Sequence, residues 1–283
     1  MLATIDRGDE VLSPDPGYVA YMPSIVLAGG VFIPVPTAAE SGFKLRAEDL
    51  ESRITARTKA IFFGFPANPT GAVMAREELA AIAAVAERHN LFVISDEIYD
   101  RLVYGVEHTC FSSLPGMRDR TVLMGGFSKA YAMTGWRVGW MCAPAPILEG
   151  IVKVHQYGIM SAPTVAQDAA LAAIQGGEPA VAAMVAEYDR RRRLLVDGLN
   201  RIGLPTFEPR GAFYAFPRIT STGLSSDEFT ERLLREERVA VVPGSAFGPS
   251  GEGHVRMCYA TAYEKIEEAL VRIEGFVARL RPV

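Results

Sequence analysis

The sequence predicts an α/β fold: a mostly parallel sheet flanked by helices, followed by a smaller C-terminal α+β domain. Three observations predict it. Short apolar runs alternate with amphipathic stretches through the first 160 residues. Some of those runs, such as 91–94, are apolar throughout, as expected of strands buried on both faces. Beyond about Ile147 long helical patterns take over, before a second and shorter set of strands and helices.

Taken in order, 10–13 reads as a strand, 18–28 as a helix, 31–34 as a strand and 47–52 as a helical turn or two. Residues 58–63 are rich in β-forming side chains. Residues 76–89 repeat apolar side chains at Leu79, Ile82, Ala83 and Ala86, a helical period. Strands follow at 91–94, 121–124 and 138–142. Helices are predicted over 147–158, 165–174 and 180–202, with Arg190 to Arg193 read as a solvated face of the last. The second set is a strand at 213–216, a helix at 227–236, strands at 239–242 and 254–259, and a helix at 264–280. The pattern divides into residues 1–175 and residues 176–283, the second part opening with a long linking helix.

Composition excludes several function classes. The chain has 283 residues, 49% hydrophobic and 22% charged, so it can bury a core and is not disordered. Its net charge of -4 gives a nucleic-acid surface no electrostatic support. No window approaches the roughly 18 apolar residues of a membrane span, and the N-terminus lacks a basic start with an apolar run. Cys110, Cys142 and Cys258 are an odd, widely spaced set, which argues for a reducing, cytoplasmic setting and against zinc or other metal ligation. Phosphate-loop, zinc-protease and serine-hydrolase motifs are absent. The glycine spacing of 248–253 precedes a strand and reads as a turn.

Three segments carry candidate chemistry. Asn68 and Pro69 follow an apolar strand; alone, they read equally well as a turn. Asp96 lies just past the apolar run 91–94, where open α/β sheets place ligands, although a helix N-cap would look the same. Lys129 follows a predicted strand, with Arg137 eight residues later among glycines. Only five of the 29 basic residues are lysines, so a lysine at a strand end is less readily a solubility device.

Together these residues resemble the fold-type I pyridoxal phosphate enzymes, specifically the class I and II aminotransferases. The resemblance rests on an ordered set of motifs: Gly8-Asp-Glu-Val-Leu, Pro14-Asp-Pro-Gly-Tyr18, Asn68-Pro-Thr-Gly, Ser95-Asp-Glu-Ile-Tyr99, Ser128-Lys, Met133-Thr-Gly-Trp-Arg137-Val-Gly, Gly211-Ala-Phe-Tyr, Pro243-Gly-Ser-Ala-Phe-Gly and Val255-Arg256-Met-Cys-Tyr-Ala. It implies that residues 1–175 hold pyridoxal 5′-phosphate. Lys129 is then the primary amine that condenses with the cofactor's aldehyde and carries a proton at the substrate Cα. Asp96 resembles the carboxylate against the pyridine nitrogen, and Asn68 and Tyr99 the pair that donate to the phenolic oxygen. Arg137 resembles the fork for the phosphate, Tyr18 the aromatic stacked on the ring, and Arg256 the arginine for the substrate α-carboxylate.

The resemblance implies amino group transfer between an amino acid and a 2-oxo acid by a ping-pong route, in a homodimer. A β-eliminating C–S lyase would share the same site. Two departures stand out. Family members carry a serine three positions before the lysine, where this chain has Gly126. They also extend well before the Gly8 motif, with a helix N-terminus that cradles the phosphate. A chain without that segment is expected to bind cofactor weakly and turn over slowly. Fused transcription regulators and nicotinamide dehydrogenases are disfavoured, since neither a helix-turn-helix, a basic face nor a dinucleotide glycine motif is present.

Overall fold

The computed structural model describes residues 1–280. Its larger sheet is built from β1 (Glu10–Asp15), β2 (Val31–Pro36), β3 (Thr58–Gly64), β4 (Phe92–Asp96), β5 (Thr121–Gly126) and β6 (Gly139–Cys142), in the order β2-β1-β3-β4-β5-β6. All pairs are parallel except β5 with β6. Parallel strands need crossovers, and here the helices α1 (Tyr21–Leu27), α2 (Ala47–Glu51) and α3 (Arg76–Arg88) lie in them.

The apolar runs form strands because helices cover both sheet faces. On one face Leu12, Ile61, Phe63 and Val93 join Leu79, Ile82 and Ala86 of α3. On the other, Val11, Ala60, Phe62 and Ile94 pack with Tyr21 and Ile25 of α1. Helix α3 starts where the Glu78 side chain reaches back to accept from the Ala75 backbone N–H at 2.7 Å. The parallel register puts Gly64 opposite Asp96 and Asp96 opposite Met124, so β3 and β4 end level and β5 runs two residues further to Gly126.

The later helices are α4 (Ala145–Gly158), α5 (Thr164–Gly176) and α6 (Glu178–Ile202). A smaller antiparallel sheet follows, β7 (Tyr214–Ala215), β8 (Val242–Pro243) and β9 (Val255–Cys258), ordered β7-β9-β8. It is backed by α7 (Ser226–Glu237) and α8 (Tyr263–Leu280), whose Phe229, Leu233, Ile273 and Phe276 meet Leu195 and Leu199 of α6 in a second core. Among the described residues no single helix is long and apolar enough to cross a membrane.

Three expectations need correction. The strand expected at 239–242 pairs only at Val242 and Pro243; Val239 and Val241 pack against the second core without joining the ladder. Tyr18 precedes its helix, in a turn closed by Tyr21 N–H donating to Tyr18 O at 2.9 Å. The Arg190 to Arg193 run is not wholly solvated: Arg192 is 4% exposed and paired with Asp189 and Glu208. Successive helical residues point about 100° apart, so four in a row cannot share one solvated face.

Behind these strand ends lies a buried polar knot. The Glu97 carboxylate accepts from Ser95 Oγ and from Phe111 N–H, each at 2.9 Å, and sits 2.7 Å from His108 Nε2. It fastens 108–111 to the end of β4. Glu97→Ala leaves a buried N–H and a hydroxyl without their acceptor, and should cost about 2–4 kcal/mol in urea unfolding. Ser95→Ala, which removes one neutral donor, should cost about 1 kcal/mol. Equal losses would show that the carboxylate does not hold this corner.

Candidate active site

The strand ends of the larger sheet and the edge of the smaller one enclose a cavity of about 900 Å³. Tyr18, Asn68, Asp96 and Tyr99 line it, as do Lys129, Arg137 and Arg256. All seven residues singled out in the sequence therefore line one cavity, although they are spread along the chain from Tyr18 to Arg256.

Asp96 ends β4. Its Oδ2 accepts from Tyr21 Oη at 3.0 Å and its Oδ1 from the Ile98 backbone N–H at 3.2 Å. No helix follows it, so it caps a turn and not a helix. Burial raises its pKa above the usual aspartate value, against the two hydrogen bonds that lower it. The opposing Gly64 is obligatory: a Cβ there would lie 2.2 Å from Tyr21 Oη and 3.3 Å from Asp96 Cβ. The Tyr21 phenol is pushed well up by burial first and by the Asp96 charge second.

Lys129 stands on the loop after β5. Buried Phe127 and Met133 bracket it and pack with Ala170 of α5. Thr134 Oγ1 donates to Ser128 O at 2.9 Å, and Arg137 Nη1 donates to Thr134 O at 2.9 Å. Arg137 itself takes the left-handed backbone conformation, φ 54°, an uncommon state for a side-chain-bearing residue. At the serine-to-glycine departure, Gly126 faces Gly139 across β5 and β6. A Cβ on Gly126 would come to 3.1 Å from both Gly139 Cα and Ile98 Cδ1, tight enough that Ile98 must give way.

The smaller sheet supplies Arg256 on β9. Its Nη1 donates to Asn68 Oδ1 at 2.9 Å, and its guanidinium carbon lies 4.4 Å from the Tyr214 ring and 4.9 Å from the Phe247 ring. Its Nε is buried with no partner among the described residues. Tyr99 is buried, with its hydroxyl 3.1 Å from that of Tyr214. Desolvation raises the Tyr99 pKa far above the usual phenol value. Tyr18 is 40% exposed and stands edge-on to Tyr21 at 5.5 Å between ring centroids.

Sequence reasoning missed Tyr21 and Tyr214. Tyr21 follows Tyr18 by three residues, and that spacing was available. Tyr214 lies in the Gly211 motif, but its contact with Tyr99 crosses 115 positions.

The donor set fits pyridoxal phosphate. It combines a primary amine, a guanidinium and phenol and amide donors with a buried carboxylate short of a cationic partner. The comparisons with known proteins agree. The aminotransferase class I and II model matches residues 1–273. The chain belongs to that family. It is 50% identical over 275 residues to the putative aminotransferase YugH of Bacillus subtilis, covering 97% of this chain and 71% of that protein. It is likewise 50% identical over 275 residues to an aspartate aminotransferase of Pyrococcus abyssi, covering 96% and 71%. Among solved structures, an aromatic aminotransferase from Pyrococcus horikoshii superposes with a TM-score of 0.96 at 48% identity, over 98% of this chain and 75% of that one. Thermus thermophilus aspartate aminotransferase with maleate gives 0.91 at 39%, over 99% and 72%. The enzyme is thus a transaminase with the aspartate aminotransferase fold, in a family that is generally pyridoxal phosphate-dependent.

A raised carboxyl pKa has a sign that can be checked without cofactor. The folded Asp96 holds its proton more tightly than the unfolded one, so its burial costs stability above the folded pKa, and the cost vanishes below the unfolded value. Asp96→Asn keeps an acceptor and a donor in place. It should raise the melting temperature of the cofactor-free protein by about 2 °C or more at pH 7 and leave it unchanged near pH 3. A gain that persists at low pH would point to a cause other than the charge.

Proposed function

We propose that the enzyme moves an amino group between an amino acid and a 2-oxo acid by a ping-pong route on pyridoxal 5′-phosphate. The observation that carries this reading is the convergence of all seven side chains on one cavity from two sheets. When bound, the cofactor supplies an aldehyde to take the amino group and a pyridine ring to accept the electrons freed at Cα.

The chain's own groups then divide the work. Asp96 sits where a protonated pyridine nitrogen would give it the cationic partner that its burial lacks. Tyr21 and Ile98 keep that carboxylate aimed. Asn68 and Tyr99 present donors to the phenolic oxygen. Arg137 presents a bidentate fork to the phosphate, and Tyr18 an aromatic face to the ring. Arg256 lines the cavity with its Nη1 committed to Asn68, and its remaining guanidinium N–H groups give the substrate α-carboxylate charged donors. Lys129 holds the amine that anchors the cofactor and later moves the proton at Cα.

Residues 1–175 carry the cofactor groups in this reading, and 176–283 carry Arg256 and Tyr214. A homodimer is supported by apolar side chains left exposed on and after α4, with Tyr157, Ile159 and Met160 at 89%, 70% and 78%. The three unpaired cysteines support a reducing, cytoplasmic setting.

Two measurements test the proposal. Borohydride reduction of the cofactor-loaded protein followed by peptide mapping should label Lys129; a label on Lys59 or Lys153 would refute the assignment, and Lys129→Ala should lower turnover by about 10³-fold or more. With one amino acid and no 2-oxo acid acceptor, the loaded protein should release at most one equivalent of 2-oxo acid per site and no ammonia. Continuous release of ammonia with pyruvate would instead establish β-elimination.

A further inference from the structure

Tyr214 is built into the cavity with unusual care. It opens β7 two residues after Ala212, which takes a left-handed backbone at φ 57° although it carries a Cβ. The Ala212 carbonyl accepts from two buried phenols, Tyr104 Oη and Tyr259 Oη, the latter at 3.3 Å. The preceding Gly211 has no room for a side chain, since a Cβ would sit 2.4 Å from Pro66 Cβ. This corner is therefore held from both sides, and what it delivers is a 7% exposed phenol against Tyr99.

The antiparallel register pairs Tyr214 with Cys258, so Arg256 lies one diagonal step away on β9. Its guanidinium covers the Tyr214 ring at 4.4 Å. One aromatic side chain thus touches both the tyrosine aimed at the cofactor and the arginine aimed at the substrate.

We propose that Tyr214 is a positioning residue for transamination, whose hydroxyl fixes the direction in which the Tyr99 hydroxyl donates. The proposal rests on the reading of Tyr99 given above. A phenol has one proton. For Tyr99 to give its proton to the cofactor's phenolic oxygen, its own oxygen must accept from Tyr214 at 3.1 Å. The cation over the Tyr214 ring favours this order, because a neighbouring positive charge makes a phenol the better donor. Without the Tyr214 hydroxyl, the Tyr99 hydroxyl is free to rotate and its bond to the ligand weakens.

The test uses the full chain loaded with pyridoxal phosphate and reads the pH titration of the bound cofactor's visible absorption. A donor at the phenolic oxygen favours the ionised form and holds the midpoint low. Tyr214→Phe should move that midpoint up by about 0.4–1 pH unit, the size of one hydrogen bond. Tyr99→Phe should move it at least as far, and the double variant no further than Tyr99→Phe alone, since both act through one bond. Tyr214→Phe keeps the ring under Arg256, so KM for amino acids should stay within about twofold while kcat falls about three- to tenfold. Matching melting temperatures will confirm that each variant folds. A midpoint moved by Tyr99→Phe but not by Tyr214→Phe overturns the inference alone. A midpoint moved by neither overturns the Tyr99 assignment and the inference with it.

Discussion

The Asp96 carboxylate leaves β4 at a point where the sheet has stripped away most of its water, and among the described residues Tyr21 Oη and the Ile98 N–H stand in for what was lost. Much of the surrounding architecture follows from holding that group in place and aiming it. Gly64 must be glycine because Tyr21 Oη occupies the space its side chain would fill. Tyr21 must be buried, which places α1 flat against Phe62, with the two rings 4.0 Å apart. The turn after β4 must bring the Ile98 amide back within 3.2 Å, and the Glu97 knot with His108 and Phe111 holds that turn from behind. Neighbouring residues on one strand end thus anchor in opposite directions, Asp96 toward the cavity and Glu97 toward the core.

The second requirement is that two sheets face each other across the cavity. Asp15, at the end of β1, is 3% exposed and accepts from both the backbone N–H and the hydroxyl of Ser250, 235 positions away. Two residues on, Gly17 N–H donates to Phe247 O at 2.9 Å. Gly248 has no space for a Cβ beside the Asp15 carboxylate. The turn at 248–253 is therefore the seam that sets β9, and with it Arg256, at a fixed height over Asn68. Burial raises the Asp15 pKa, so part of this seam is a carboxylate held against its preference for water.

The larger sheet was legible in the sequence because its strands are buried on both faces, and continuous apolar runs such as 91–94 have few other uses. The candidate site was legible for a related reason: parallel strands deliver their ends to one edge, so polar residues just past apolar runs become neighbours. What escaped depends on contacts that no local pattern encodes. Val239 and Val241 look like strand residues because they are apolar and β-branched, yet they are buried by side-chain packing alone. Arg192 looks solvated until Glu208, sixteen residues on, returns beside it. Tyr18 looks helical because its neighbours are. Tyr214 lies in the Gly211 motif, yet nothing local points to its partner Tyr99, which belongs to another strand end and another sheet.

The link between Arg256 and Asn68 shows how far the two halves of the site determine each other. A guanidinium has donors and no acceptor, so the group it meets on Asn68 has to be the amide oxygen. That contact fixes the flip of the amide and leaves its NH₂ as the group available to the cavity. Asn68 thereby becomes a donor in the cavity that Tyr99 also lines, the polarity that an anionic oxygen requires. Were the arginine absent, the amide could present either end, and half of its orientations would set an acceptor against that oxygen. The residue assigned to the substrate thus also sets the polarity of the residue assigned to the cofactor. One hydrogen bond of 2.9 Å thus couples the two side chains, and moving Arg256 would free the Asn68 amide to turn.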